Sequence, residues 1–221
     1  MRRNLAGRCL DLLVALPLAL LTLPLLAPLS LAVLALSGRP VFHREQRLGR
    51  GGVPFTLYKL RSLAAGSGTQ RGVAPADDAR LTRPGSWLRR WRLDELPQLW
   101  QVVRGQMSLV GPRPLPPAHA GSIPNDQLTQ LLSVAPGLTG AGALAFLAED
   151  TVLAGRTDPE ALYLRVLLPA KVEVELDYLR QRSLCGDLGL LARTAASVWS
   201  SAAHRRSRQR LETCLAQAGD A

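Results

Sequence analysis

The chain has 221 residues, 27 Lys and Arg against 17 Asp and Glu, a net charge of +10 and only 5% aromatic residues. That length suits one core-bearing domain plus an anchoring segment and leaves little room for a second full domain. The basic excess favours anionic lipid, phosphorylated substrates or nucleic acid. The lack of interleaved aromatic and basic residues argues against a base-stacking platform, and Cys9, Cys185 and Cys214 show neither metal-ligand nor disulfide spacing.

From Leu12 to Gly38 the chain carries no charge and is dominated by Leu, Ala, Val and Pro. The run exceeds the roughly 20 residues that cross a bilayer as a helix. Three readings compete. A cleaved signal peptide has a basic start and small residues near Ala35 and Ser37 in its favour, but its apolar region is usually about 7–15 residues. A simple spanning helix fits the length. The flanks favour a third reading: Arg2, Arg3 and Arg8 precede the run and Arg39, Arg44, Arg47 and Arg50 follow it, which places both ends on the cytoplasmic side. Pro24 lies near the middle, with Pro17 and Pro28 on either side, and each removes a helical hydrogen bond. Residues 1–38 therefore read as a re-entrant membrane helix broken at Pro24.

Residues 40–48 and 54–63 alternate as two strands around a glycine-rich turn and predict a β-hairpin. Residues 64–78, rich in Gly, Ser, Thr and Ala, read as a mobile loop. In the basic stretch 80–92, Trp87, Leu88 and Trp91 recur at helical spacing, either as core or as a face at lipid headgroups, and the preceding anchor favours the second. Apolar residues at 93, 96, 99, 100 and 103 mark one helical face. With Pro97 in the first turn and Gly105 as a stop, they predict a helix from about Asp94 to Arg104 with Asp94 as N-cap.

Met107–Val110 reads as a short strand leading into Gly111-Pro-Arg-Pro114. Asp158 followed by Pro159 is a helix start, and the pattern continues, interrupted near Pro169, to about Arg182. A last helix is predicted from about Asp187 to Ala203. Residues 204–221, with Arg205, Arg206, Arg208 and Arg210, are expected to be disordered or to touch anionic lipid.

The chemistry concentrates in 59–113. Asp94 and Glu95 place two adjacent carboxylates at a helix start, where acidic caps are common and anions are attracted. Arg113, between two prolines, is presented from a stiff turn with a planar fork suited to phosphate. Lys59 and Arg61 alternate on one strand, and Arg89 lies five residues before Asp94. Each feature alone also fits a cap, a surface turn or a solvated basic face. Together, beside a membrane anchor, they suggest phosphoryl transfer at the bilayer surface, with an aspartate as nucleophile and the acidic pair titrating as a unit.

Arg8-Cys-Leu-Asp11, Pro40-Val-Phe, Gln46-Arg-Leu-Gly49, Phe55 with Tyr58-Lys-Leu-Arg-Ser62, Asp78 through Arg80 with Thr82, and above all Leu93-Asp-Glu-Leu-Pro-Gln-Leu99 followed by Gly105-Gln-Met-Ser-Leu-Val-Gly-Pro-Arg-Pro114, closely resemble the bacterial sugar transferase family of monotopic polyprenyl-phosphate phosphoglycosyl transferases. Asp177-Tyr178, Ser183 and Asp187 through Thr194 match its C-terminal pattern. The resemblance implies an α+β, mostly helical fold. A re-entrant helix is followed by a small hairpin and helices lying on the membrane surface, with a catalytic domain over 39–203 in the family's small, catalytic-core form.

It also implies a Mg²⁺-dependent transfer of a sugar 1-phosphate from a nucleotide sugar, usually a UDP-sugar, to a polyprenyl phosphate at the cytoplasmic face of the inner membrane. That step would initiate exopolysaccharide, O-antigen or glycoprotein glycan assembly. By carry-over, Asp94 is the nucleophile, Glu95 assists proton transfer, both contact the metal, and Arg89 and Arg113 hold phosphates; Lys59 and Arg61 join them as candidate phosphate ligands. The chain departs from the pattern in having Leu23 rather than Ser before the central proline, with Thr22 one place earlier. It also carries Ala-Gly-Ala-Leu-Ala-Phe-Leu147 where the family tends to have a run ending in Arg, which makes Arg156 a candidate replacement cation. The alternative is a catalytically weak, membrane-anchored scaffold of a glycan-assembly complex.

Overall fold

The computed structural model describes residues 5–64, 66, 75–197 and 200–219. The expected loop over 64–78 and the positions Val198 and Trp199 fall largely outside them. The first helix, α1, runs from Leu5 to Ser37 and continues through Pro17, Pro24 and Pro28 without interruption. The expected break at Pro24 is therefore not a gap in the helix. Nor does Thr22 compensate for that proline. Its hydroxyl donates to the carbonyls of Leu18 and Ala19, whereas the N–H missing at Pro24 would have reached Leu20.

Two stretches of α1 are buried, Asp11, Ala15 and Ala19 and then Leu29 and Val33, while no residue from 20 to 28 is. The first stretch packs on Leu99, Val102, Met107 and Leu109, and the second on Leu60 and Leu88. Polar ties reinforce both ends. Arg8 donates to the carbonyls of Val102 and Val103 at 2.6 Å each, satisfying the exposed end of a later helix. Buried Asp11 accepts from Ser108 Oγ at 2.9 Å and from Leu109 N at 2.8 Å. At the other end, Arg61 donates to the carbonyls of Ser37, Gly38 and Arg39. The outward face stays apolar, with Leu13 at 73% and Leu36 at 71% exposed.

Strands β1 (Phe42–Leu48) and β2 (Pro54–Leu60) form the expected hairpin, antiparallel, with His43 opposite Lys59. Helix α2 (Arg83–Arg90) starts at Thr82, whose hydroxyl accepts from Gly85 N at 3.1 Å. It crosses so close to the end of β2 that a Cβ on Gly85 would lie 1.9 Å from the Ser62 carbonyl oxygen. Leu88 faces inward at 1% exposed, whereas Trp87 and Trp91 are left outside.

The predicted helix from Asp94 divides in two. Leu93–Glu95 is a 3₁₀ turn, and α3 (Gln98–Arg104) begins only after Pro97. Asp94 caps no helix with its side chain; Pro97 occupies the N-cap. Gly105 ends α3 in the left-handed region at φ 82°, as expected of a glycine stop. Gln101 fastens α3 to β2 by donating to Thr56 O and accepting from Tyr58 N.

Strand β3 (Ser108–Val110) pairs in parallel with β4 (Gly137–Thr139), and α4 (Asn125–Leu132) lies between them in sequence. Short helices α5 (Ala141–Ala145), α6 (Glu149–Leu153) and α7 (Pro159–Leu162) follow, the last capped by Asp158 as predicted. A π-helical turn over Tyr163–Leu167 precedes α8 (Leu168–Arg180), whose second residue is Pro169. A proline without an N–H disrupts the regular ladder there. Helix α9 (Leu184–Ser197) is clasped to β3 through Arg182, which donates to Val110 O at 2.9 Å and pairs with Asp187 at 3.0 Å.

The tail corrects the expectation of disorder. Residues Ser201–Gly219 form a further helix, α10, with Leu211 fully buried among Phe146, Leu153 and Leu167. Nor does one helix span 187–203, since α9 ends at Ser197.

Candidate active site

Arg92 carries the local geometry of the acidic pair. It follows the end of α2 in the left-handed region (φ 53°, ψ 24°), with its N–H on Arg89 O at 3.0 Å. A glycine would take that position at no steric cost; an arginine there stores roughly 1 kcal/mol or more of strain. The reversal turns Asp94 and Glu95 into a cleft of about 490 Å³ that runs from the hairpin to α8.

Glu95 is surrounded by cations: Arg113 at 3.3 Å, Arg92 at 3.8 Å and Lys59 at 3.9 Å. Burial alone would raise its pKa, but those three charges overcome it and hold Glu95 down at about 2. Asp94, only 7% exposed, shifts the other way. Burial and the neighbouring Glu95 charge raise its pKa against the pull of Lys59 and Arg89. Environment thus pushes two adjacent carboxylates apart, one held down by the cations around it and the other raised by burial.

Lys59 is lowered to about 8 by burial and by Arg113, with Glu95 opposing. Arg113 is raised by Glu95 beside it. Its turn is propped by the hairpin, since Arg47 donates to Pro114 O at 2.9 Å and pairs with Glu45 at 2.7 Å. Arg89 lines the cleft and donates from Nε to Ser62 Oγ at 2.9 Å.

The fold therefore gathers Asp94, Glu95, Lys59, Arg89 and Arg113. It does not bring the Arg61 guanidinium into that group in the same way, because those N–H donors serve the carbonyls that end α1. Arg156, the suggested replacement cation, does not line this cleft; it is exposed, with Nε on Val152 O.

Sequence reading missed His43, Glu149, Lys171 and Glu175, all of which line the cleft. His43 was accessible from the hairpin register, which sets it opposite Lys59. Lys171 pairs with Glu149 and lies 5.2 Å from the Tyr163 ring centroid. Glu175 is buried and accepts from Gly142 N at 2.9 Å; burial lifts its pKa to about 7 despite that bond. No local spacing joins residues 149, 171 and 175 to the acidic pair, so only the tertiary fold reveals them.

The site is thus a buried Asp94 beside a half-buried Glu95 ringed by cations, in a cleft beside a lipid-length apolar helix, and such cations suit oxyanions. Comparison makes the class specific: the chain belongs to the bacterial sugar transferase family, whose sequence profile matches residues 2–201, and it is an enzyme. It is 37% identical over 200 residues to a UDP-glucose:undecaprenyl-phosphate glucose-1-phosphate transferase of Caulobacter vibrioides, covering 88% of this chain and 70% of that protein. An Escherichia coli protein of the same name is 34% identical over 85% of this chain and 39% of its own length. A UDP-N-acetylgalactosamine-undecaprenyl-phosphate N-acetylgalactosaminephosphotransferase of Aeromonas hydrophila is 43% identical over 43% of this chain and 24% of its own length. The chain thus spans well under half of the last two relatives.

Proposed function

We propose that this enzyme transfers a sugar 1-phosphate from a UDP-sugar to a polyprenyl phosphate at the cytoplasmic face of the inner membrane. The observation that carries the reading is the acidic pair in the cleft, a buried Asp94 beside a Glu95 held by Arg113, Arg92 and Lys59. A carboxylate Oδ of Asp94 attacks the phosphorus next to the sugar, the bond to the UMP oxygen breaks, and UMP leaves with its electron pair. A phosphate oxygen of the lipid then attacks the phosphosugar-aspartate, releasing Asp94 and forming a polyprenyl-diphosphate sugar. Arg113, Arg89 and Lys59 hold the phosphate oxygens; Glu95 keeps Arg113 and Lys59 in place, and Ser62 orients Arg89.

Among the described residues no three His, Cys, Asp or Glu side chains converge on a metal position, so a magnesium ion would rest on Asp94 and Glu95 and on substrate oxygens; Mg²⁺ is commonly held by one or two carboxylates plus substrate phosphates and water. When bound, it would neutralise diphosphate charge. The monotopic disposition is supported by the ties at both ends of α1, from Arg8 and Asp11 and from Arg61, to one domain. Trp87 and Trp91, exposed beside it, suit the headgroup region.

The direct test is UMP release from a panel of UDP-sugars with and without undecaprenyl phosphate. One donor is expected to turn over continuously with the lipid and only stoichiometrically without it. No release from any donor would favour the scaffold reading. A pH profile adds a second check. Because Lys59 loses its charge above about 8, kcat/KM for the donor is expected to fall as pH rises through 8, by about tenfold per unit if that charge is essential. Lys59→Arg keeps the charge and should remove this alkaline limb; an unchanged limb in the variant would rule out Lys59 as its source.

A further inference from the structure

The family profile ends at residue 201, yet α10 follows directly and packs behind residues that line the cleft. Ser207 is buried, and its Oγ accepts from Ala148 N at 3.0 Å. The Arg210 guanidinium lies 5.7 Å from the Phe146 ring centroid. Leu211, fully buried, packs in the same core as Phe146 and Ala148. The residues held in this way matter because Phe146, Leu147 and Glu149 line the cleft, and Glu149 pairs there with Lys171 of α8. This is also where the sequence departs from the family pattern.

We propose that α10 is a positioning element for the donor, fixing the 146–149 wall against which the part of the nucleotide sugar beyond the reacting phosphorus rests. The inference builds on the donor class proposed above. The side of the cleft follows from the packing. The core containing Ser207's neighbours and Leu211 includes no residue of α1, whereas α1 packs on the cores below β2, α2 and α3 that carry the acidic pair. A lipid phosphate approaching along α1 reaches Asp94 from that side and leaves the α5–α6–α8 side to the donor. Neither α10 residue touches the reacting atoms, so both act through the wall.

The test compares the full chain with the Ser207→Ala/Arg210→Ala double variant and an Arg206→Ala control, which removes an exposed charge on the same helix. Steady-state kinetics use the UDP-sugar that releases UMP, with undecaprenyl phosphate as acceptor, and amide hydrogen exchange follows residues 144–150. The double variant is expected to exchange faster across 144–150 and to raise donor KM about tenfold. Its kcat should stay within twofold, its acceptor KM should be unchanged, and the control should match the parent. Equal effects in double variant and control would make α10 a basic lipid contact and overturn the proposal, as would faster exchange with an unchanged donor KM. If the parent chain turns over no donor, the functional reading fails separately; binding of UDP-glucose measured calorimetrically on the same proteins, with equal affinity or none in parent and double variant, would then overturn the role of α10.

Discussion

Asp94→Asn is expected to abolish turnover, by at least about 10³-fold, and at the same time to leave the protein more stable at neutral pH. The first effect follows from replacing a carboxylate nucleophile by an amide that cannot form the acyl phosphate. The second follows from linkage. The folded-state pKa of Asp94 is raised by burial and by Glu95, so the unfolded chain releases that proton first. Stability from this group is present below the ordinary carboxylate pKa and is lost as pH rises through the raised folded value. Asparagine removes that loss, and Asp94 caps no helix whose start would suffer. UMP release, trapping of labelled donor on the protein and thermal melting at pH 7 together check both effects. Near-normal turnover in the variant would remove Asp94 from the mechanism, and a sharply lowered Tm would mean that its charge is structural.

The topology prediction is all-or-none. With Cys185 and Cys214 replaced, exposed Cys9 and a Gln46→Cys substitution are expected to react with an impermeant thiol reagent from the same membrane face. The reason is mechanical. Arg8 and Asp11 near the start of α1, and the carbonyls of Ser37 to Arg39 at its end, are all bonded to one polar domain. A helix standing across the bilayer would have to break one of those sets and leave Asp11 or Arg61 buried without partners, at a cost of several kcal/mol. Labelling from opposite faces would show that one set does break in the membrane.

Much of this was legible from local pattern. The alternation around the glycines at 49–52 gave the hairpin, Gly105 the end of α3, and Asp158-Pro159 the start of α7, because each rests on backbone chemistry confined to a few residues. Arg61 lines the cleft but lies one residue past the end of β2, and alternation alone did not show that its guanidinium serves the carbonyls closing α1. The 3₁₀ turn at Asp94 escaped because it depends on a left-handed arginine, a conformation that composition announces only for glycine or asparagine. In the tail, clustered arginines obscured Leu211, Cys214 and Leu215, whose spacing marks a buried helical face. Glu149, Lys171 and Glu175 had no local signature at all.

The docking of α1 has a practical corollary for handling the protein in water. Deleting the apolar segment to obtain a soluble fragment would strip the cover from Leu60, Leu88, Leu99 and Val102, now at most 5% exposed. At roughly 1.5–3 kcal/mol for each large aliphatic side chain returned to water, that loss rivals the whole stability of an average domain. Solubilisation by surface redesign is the route the packing permits. Polar replacements belong at outward positions such as Leu13, Leu21, Leu31 and Leu36, while Ala15, Ala19, Leu29 and Val33 stay untouched because they are interior residues of the folded enzyme.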